Sequence, residues 1–371
     1  MADVFAVGAA ATRFTQTAAT TAGMAHLVAM AALEDAGLRA RDVPAVFVGS
    51  GSEDFSPAAD AVAVRLGLRR LGFGGGPSGE RVIGRIEHVS ASATEALHHG
   101  WQSVAMGIHD AVLCVGAGQP NEPGTPVEPW APTATLASRA QAARRYMTAS
   151  GASVEQLARI SAKNLGHGAL NSRVRSGSDV SPEQVLRSGV VAWPLTRLMV
   201  ATRAQRAAAV VLASGAVRGR AAGRAPRVRA CLLVAGDRTR AATARAANLA
   251  YRVSGIGPDE LDLVELDDVT AAAELAAYED LQLAPQGQGP ELIDSGFTAL
   301  GGVLPVNTSG GLLSAGELQS ASALAQICHI VWQLRGEAGA LQIPRARVGL
   351  SQSISGGLEG DDLVGLTILS C

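Results

Sequence analysis

The chain has 371 residues, 47% of them hydrophobic and only 4% aromatic, and its length suffices for two domains or two closely packed halves. With 43 glycines among many alanines it has the profile of a tightly packed α/β protein, and disordered and fibrous classes are excluded. A formal net charge of −2 gives no global electrostatic footing for nucleic acid.

Short apolar runs alternate with helical patterns, as in βαβ units around a largely parallel sheet. Residues 4–7 read as a strand, and 20–36 as a helix closed by Gly37. A buried strand at 45–48 runs into the Gly49-Ser50-Gly51 turn. Residues 85–89 form a strand, 90–107 the helix after it, and 111–115 a strand ending at Gly116-Ala117-Gly118. From 119 to 200 the texture changes to Pro- and Gly-rich sequence and then helices, expected to be a lid or substrate-contacting subdomain. Residues 207–213 return as a core strand. The basic, Gly/Ala-rich stretch 216–229 is the best boundary, dividing the chain into halves 1–225 and 226–371. The arginines at 218–229 and 238–245 read as solvated surface, with an anionic ligand as the alternative.

No apolar run approaches the roughly 18 residues of a membrane-crossing helix, and the first residues carry no basic leader. The cysteines at 114, 231, 328 and 371 show neither metal-ligand spacing nor a disulfide framework. A cytoplasmic protein is expected. His98, His99, His109, His167 and His329 have no metal-like grouping and read as structural or surface residues, and Asn307 with Gly310-Gly311 reads as a turn.

The second half echoes the first. Residues 37–46 match 255–264, and 90–97 with Trp101 match 320–327 with Trp332; a strand and a glycine turn follow each, at Gly116/Gly118 and Gly356/Gly357. Chance similarity in alanine-rich sequence is the competing explanation. A true repeat predicts a pseudo-twofold protein with its site where strand ends and helix N-termini converge.

Several blocks carry a family resemblance: Arg144-Arg-Tyr-Met147, Pro194-Leu-Thr196, 207–213, Val264-Glu-Leu-Asp-Asp268, Val306-Asn-Thr-Ser-Gly-Gly311, 325–338 and Ser355-Gly-Gly357. In sequence and in their order along nearly the whole chain they resemble the thiolase superfamily, in its sterol-carrier-protein-type branch. The resemblance implies two βαβαβαββ halves in five layers (α-β-α-β-α), a loop subdomain over the site, a homodimer, and an acyl-CoA or carrier-bound thioester as substrate with no further cofactor. Relatives that work as aldolases with a zinc-ribbon/OB-fold partner make such a partner an expectation too.

Thiolase chemistry needs a nucleophilic cysteine at a helix N-terminus, a Gly-His-Pro histidine, an Asn or His supporting an oxyanion hole, and a second cysteine before the C-terminal Gly-Gly turn. The matching positions here hold Ser90, Glu317 (in Gly316-Glu-Leu318), Asp267 (in Asp267-Asp-Val-Thr270) and Ser353. A serine hydroxyl needs an adjacent base. His88 is the near candidate in sequence, its competing reading being a packed or surface imidazole. Asp268 stands beside Asp267 as a substrate-binding candidate. Carboxylates would repel a developing enolate oxygen, so Claisen condensation is disfavoured. Two acids sharing a pocket can instead separate into an acid and a base, suiting an aldol or retro-aldol step, dehydration or hydrolysis. The backbone N–H groups of Ser90 and Ser355, with Gly356 keeping the backbone approachable, are expected to form the surviving oxyanion hole. The opposing readings are ordinary acyl transfer through Ser90 and a silent subunit that scaffolds an active partner.

Overall fold

The computed structural model describes residues 1–12, 20–49, 68, 85–90, 92–118, 133–174, 178–218, 224–236, 241–318, 320–355 and 363–371. In chain order these carry β1 (Val4–Ala11), α1 (Thr21–Asp35), β2 (Ala45–Gly49), β3 (Arg85–Ser90), α2 (Ala93–Ala105), β4 (Ala111–Gly118), α3 (Thr133–Ser150), α4 (Val154–Ala169) and α5 (Pro182–Leu186). There follow β5 (Val190–Ala192), β6 (Leu195–Thr196), β7 (Arg206–Ser214), β8 (Arg227–Ala235), α6 (Ala241–Ser254), β9 (Leu263–Glu265), α7 (Ala271–Asp280) and α8 (Gly289–Asp294). The chain closes with α9 (Gly311–Ala315), α10 (Ser322–Arg335), β10 (Val348–Ser355) and β11 (Leu363–Ser370).

Nine strands hydrogen-bond in the order β3-β2-β4-β7-β1-β8-β11-β10-β9. Apart from the extra β3, the order is a palindrome. β2 runs parallel to β4, β4 antiparallel to β7 and β7 antiparallel to β1. β9, β10, β11 and β8 repeat those relations. The half-sheets meet at β1 and β8 through the pair Phe5–Arg227. The echo at 37–46 and 255–264 is thus a structural repeat, each copy a helix end with a left-handed glycine (Gly37 φ 65°, Gly255 φ 68°) followed by a short 3-10 turn and a strand.

The layers follow from where apolar side chains go. β4 is buried along its whole length, as its unbroken apolar run Ala-Val-Leu-Cys-Val-Gly-Ala-Gly requires of a strand covered on both faces. α1 covers one face of the first half-sheet and α6 one face of the second, while α2 and α10 touch strands of both halves and form the middle layer. Three hydrophobic clusters match these interfaces, giving the five-layered α-β-α-β-α arrangement. Small residues let the layers close up: a Cβ at Gly8 would lie 2.1 Å from the Ala32 carbonyl oxygen of α1.

The expected helix at 90–107 starts later. The strand continues through Ser90, and Ser92, with extended backbone (φ −145°), is the N-cap, its hydroxyl accepting from Glu95 N–H at 3.3 Å. In the subdomain at 133–200, α3 and α4 pack on α7, with α4 also against α8 and α9. The Tyr146 hydroxyl donates to Glu279 Oε1 at 2.6 Å, tying α3 to α7. No helix among the described residues is long and apolar enough to cross a membrane.

Candidate active site

The ends of β2 and β4 approach the starts of both central helices. A Cβ at Gly49 would lie 2.8 Å from Ala93 N and 2.9 Å from Ser320 O, and one at Gly116 would lie 1.6 Å from Ser320 O. From the other half, the end of β10 reaches the first turn of α2, where the Ser353 and Thr94 hydroxyls hydrogen-bond at 2.9 Å. Helix N-termini and strand ends therefore do converge at one place.

Asp267, just after β9, is held there by backbone. Its N–H donates to Gln352 Oε1 at 2.9 Å, and its carboxylate accepts from the N–H groups of Val269 and Ile354, each at 3.3 Å. Burial, and then the nearby charge of Glu317, push this carboxyl up to about 7, against the opposing pull of Arg139. Glu317 is delivered by a strand-like contact in which its N–H donates to Thr202 O at 2.7 Å and its carbonyl accepts from Ala204 N–H at 3.1 Å. Arg139 Nη2 donates to both Glu317 carboxylate oxygens at 3.2 Å, while its Nη1 is buried without a partner among the described residues. Asp267, Glu317 and Arg139 form one electrostatic unit, assembled from the second half and from α3.

The other expected residues are placed differently. Ser353 and Ser355 are buried. The Ser353 hydroxyl is taken by Thr94 and packed against Gly365, where a Cβ would lie 2.9 Å from Ser353 Oγ. Ser355 Oγ has no partner among the described residues. His88 and Ser90 lie on β3 opposite Phe47 and Gly49. Ser90 closes that strand and does not begin α2, which corrects the expectation of a helix-terminal serine. Gly356 lies outside the described residues.

The Asp268 carboxylate has different partners from that of Asp267, although the charge of Asp267 still acts on it. It accepts from Leu312 and Leu313 N–H (2.6 and 3.3 Å) and from Asn164 Nδ2 (2.7 Å), capping α9 from within the core. Gly311 packs so closely that a Cβ there would lie 2.1 Å from Asp268 Oδ2. Asn164 Nδ2 also donates to Glu274 Oε2 at 2.6 Å, and Lys163 Nζ meets Glu274 Oε1 at 2.7 Å. Burial and the charge of Glu274 raise the Asp268 carboxyl well above its ordinary value. Asn307, in left-handed backbone (φ 51°), accepts from Leu266 N–H and donates to Glu274, which is the turn role expected of it.

His167 accepts from Leu300 N–H on Nε2 and therefore donates from Nδ1 to Asn307 O, a neutral imidazole that burial lowers to about 4. A separate cavity of about 30 Å³, lined by Arg173, Arg206, Glu265, Gln326, His329 and Trp332, has room for a water molecule. No group of His, Cys, Asp and Glu among the described residues could hold a metal.

Sequence reasoning missed Arg139, Gln352, Thr94 and the Lys163-Asn164 pair. Arg139 sits in an alanine-rich helical run with nothing to mark it, and Glu317 is 178 positions away.

A family model described as "Thiolase C-terminal domain-like" matches residues 232–364. The chain is 31% identical over 385 residues to an acetyl-CoA acetyltransferase of Methanothermobacter thermautotrophicus, covering 96% of this chain and 97% of that protein. Over 121 residues it is 46% identical to sterol carrier protein 2 of Rattus norvegicus, covering 33% of this chain and 22% of that one. A solved structure described as an Ltp2-ChsH2(DUF35) aldolase superposes with a TM-score of 0.82 at 20% identity, covering 99% of this chain and 98% of that one.

Proposed function

Since this chain belongs to the thiolase superfamily, in its sterol-carrier-protein-type branch, we propose that it binds acyl thioesters and moves a proton on them through Asp267, performing aldol or retro-aldol chemistry. The observation that carries this reading is a carboxyl raised to about 7 beside an ion-paired carboxylate. A general acid–base group works best when its pKa lies near the working pH. A retro-aldol step on a 3-hydroxyacyl thioester needs one such group. Asp267 takes the hydroxyl proton, the Cα–Cβ bond breaks as the β-carbon becomes a carbonyl, and its electron pair passes to the thioester as an enolate. Asp267 then returns the proton to Cα, leaving a carbonyl compound and a shortened acyl thioester. Claisen condensation by the thiolase route needs a covalent acyl-enzyme, and the position of its cysteine nucleophile holds Ser90, whose hydroxyl needs an adjacent base.

The aldolase of similar fold supports the architecture alone, at its low identity. A second protein of zinc-ribbon/OB-fold type, as a partner completing the site, is part of the proposal. The competing reading, a silent scaffold, draws on Ser353 and Asp268, whose polar groups are spent on packing.

The test incubates the full chain with a panel of 3-hydroxyacyl-CoAs, following carbonyl product, free CoA and protein mass together. Carbonyl product without CoA release or adduct is expected, with kcat falling at least ~100-fold in Asp267→Asn. A stable acyl adduct that disappears in Ser90→Ala would move the reading to acyl transfer. Failure of any CoA ester to bind would leave the scaffold.

A further inference from the structure

A cavity of about 30 Å³ lies between α10, the end of β1 and the chain that follows α4, and none of Asp267, Glu317, Arg139 and Ser353 lines it. Its acceptors are already matched. The buried Glu265 carboxylate accepts from Ser309 N–H at 3.0 Å, Ser309 Oγ at 2.5 Å and Thr308 Oγ1 at 3.4 Å, and Asn171 Oδ1 accepts from Arg173 N–H at 3.0 Å. Its donors are not matched. Gln333 Oε1 accepts from Ile343 N–H, so its Nε2 donates to His329 Nε2 at 3.3 Å, and the ring proton of His329 sits on Nδ1. Burial, and then the charge of Arg173, lower this imidazole to about 3, which keeps it neutral. His329 is only 4% exposed, yet its Nδ1–H has no acceptor among the described residues. Gln326, 7% exposed, uses Oε1 to accept from Ser351 Oγ at 2.8 Å, and its Nε2 has no acceptor among the described residues. Arg206 donates from Nη1 to Gly316 O at 3.2 Å, and its Nε and Nη2 have no acceptor among them either. The Arg173 guanidinium lies 4.0 Å over the Trp332 ring.

We propose that this cavity binds a small monoanion of halide size, with chloride as its ordinary occupant. Neither thioester binding nor catalysis is needed for it. The donors decide against water: a buried water molecule needs acceptors for its own hydrogens, and the side-chain acceptors there are taken. Charge decides for an anion. Two guanidiniums and a neutral imidazole stand with one carboxyl, which burial itself raises to about 7, so the lining carries net positive charge. Buried charge is costly until it is paired. Size decides which anion. The cavity matches the roughly 30 Å³ share of one water molecule, a space that fits a halide and not a tetrahedral sulfate or phosphate. The same ion reaches toward the candidate active site, because Gly316, whose carbonyl Arg206 holds, directly precedes Glu317. An anion that fixes Arg206 therefore steadies the backbone from which Glu317 is presented.

The experiment follows the NMR linewidth of chloride ion with the full chain at constant ionic strength, in the wild type, Arg206→Gln and Gln326→Glu. A bromide-soaked crystal of the wild type locates the site by anomalous scattering. Saturable broadening that bromide reverses and sulfate does not is expected, with a bromide peak within about 3.5 Å, hydrogen-bonding reach, of His329 Nδ1 and Gln326 Nε2. Arg206→Gln removes a cation and Gln326→Glu sets a carboxylate against the anion. Each should weaken chloride by at least about tenfold, as for hydrogen bonds to charged groups, while a thermal melt close to wild type shows that the fold is kept. Should both variants fail to fold, the position of the wild-type bromide peak decides alone. Broadening that never saturates up to molar salt, or bromide peaks found only outside the cavity, overturns the proposal and assigns the cavity to water. Undiminished chloride affinity in either folded variant overturns it too. So does equal competition by sulfate, which would move the binding to exposed arginines.

Discussion

Asp267 is a carboxyl whose surroundings work against its charge, and two expectations follow. The first concerns turnover. Glu317 raises Asp267, so Glu317→Gln leaves Arg139 to act on it unopposed and must lower it. The limb of the kcat/KM profile that rises near pH 7 should move to lower pH in Glu317→Gln; a limb that stays in place would remove Glu317 from this role. The second concerns stability. The carboxyl rises from an ordinary 3.8 to about 7 on folding, so the native state holds its proton more tightly than the unfolded chain does. Its contribution is therefore full below pH 4 and is lost as pH rises through 7. Asp267→Asn has no such loss, so its melting temperature relative to wild type should climb between pH 4 and 8. Asp267 and Glu317 could be found in the sequence because they stand at positions where the family resemblance expects other chemistry. Arg139 could not, since only folding brings α3 to Glu317. Nor could the divergence of Asp267 from its neighbour Asp268, which depends on an α9 N-terminus lying 44 residues on.

Among elements, the clearest joint is between α4 and α7. Lys163 and Glu274 are almost wholly enclosed, with 6% and 0% of their side chains exposed, and Asn164 spans Glu274 and Asp268. Lys163→Met would leave the Glu274 charge without its cation, a loss of about 3–5 kcal/mol for a broken buried pair. Urea unfolding should show that loss at pH 8. A cost under about 1 kcal/mol would mean that the hydrogen bonds from Asn164, Asn307 and Tyr278 hold the Glu274 carboxylate without the lysine. The α2 boundary shows how local signals compete. Ser90 and Ser92 both precede an apolar helical run, but only Ser92 stands three residues before a glutamate, the S-x-x-E capping pattern, and the helix starts there. Family position pointed to Ser90 and capping chemistry to Ser92; the strand ends at the first and the helix is capped at the second.

For the whole molecule, the junction of the halves rests on absent side chains. Gly116→Ala would drive a methyl group into the Ser320 carbonyl where α2 and α10 converge, and overpacking of such a contact costs about 1–3 kcal/mol or more. A lowered denaturation midpoint is expected, whereas an unchanged midpoint would show that the loop before α10 yields freely. The repeat behind this junction was legible because glycines and short strands recur in step. The middle layer was not, because α2 and α10 are alike in sequence whichever half-sheet they cover, and only the assembled fold shows them touching both.

The palindromic strand order also sets a timetable for synthesis. β1 leaves the ribosome well before both its neighbours, β7 and β8, which begin at Arg206 and Arg227. At about 5–20 residues per second, the nascent chain carries an apolar strand with two open edges for some ten to forty seconds before either partner exists. Early folding must therefore proceed without the strand on which the halves finally join, and a holding chaperone would have most to do during that interval.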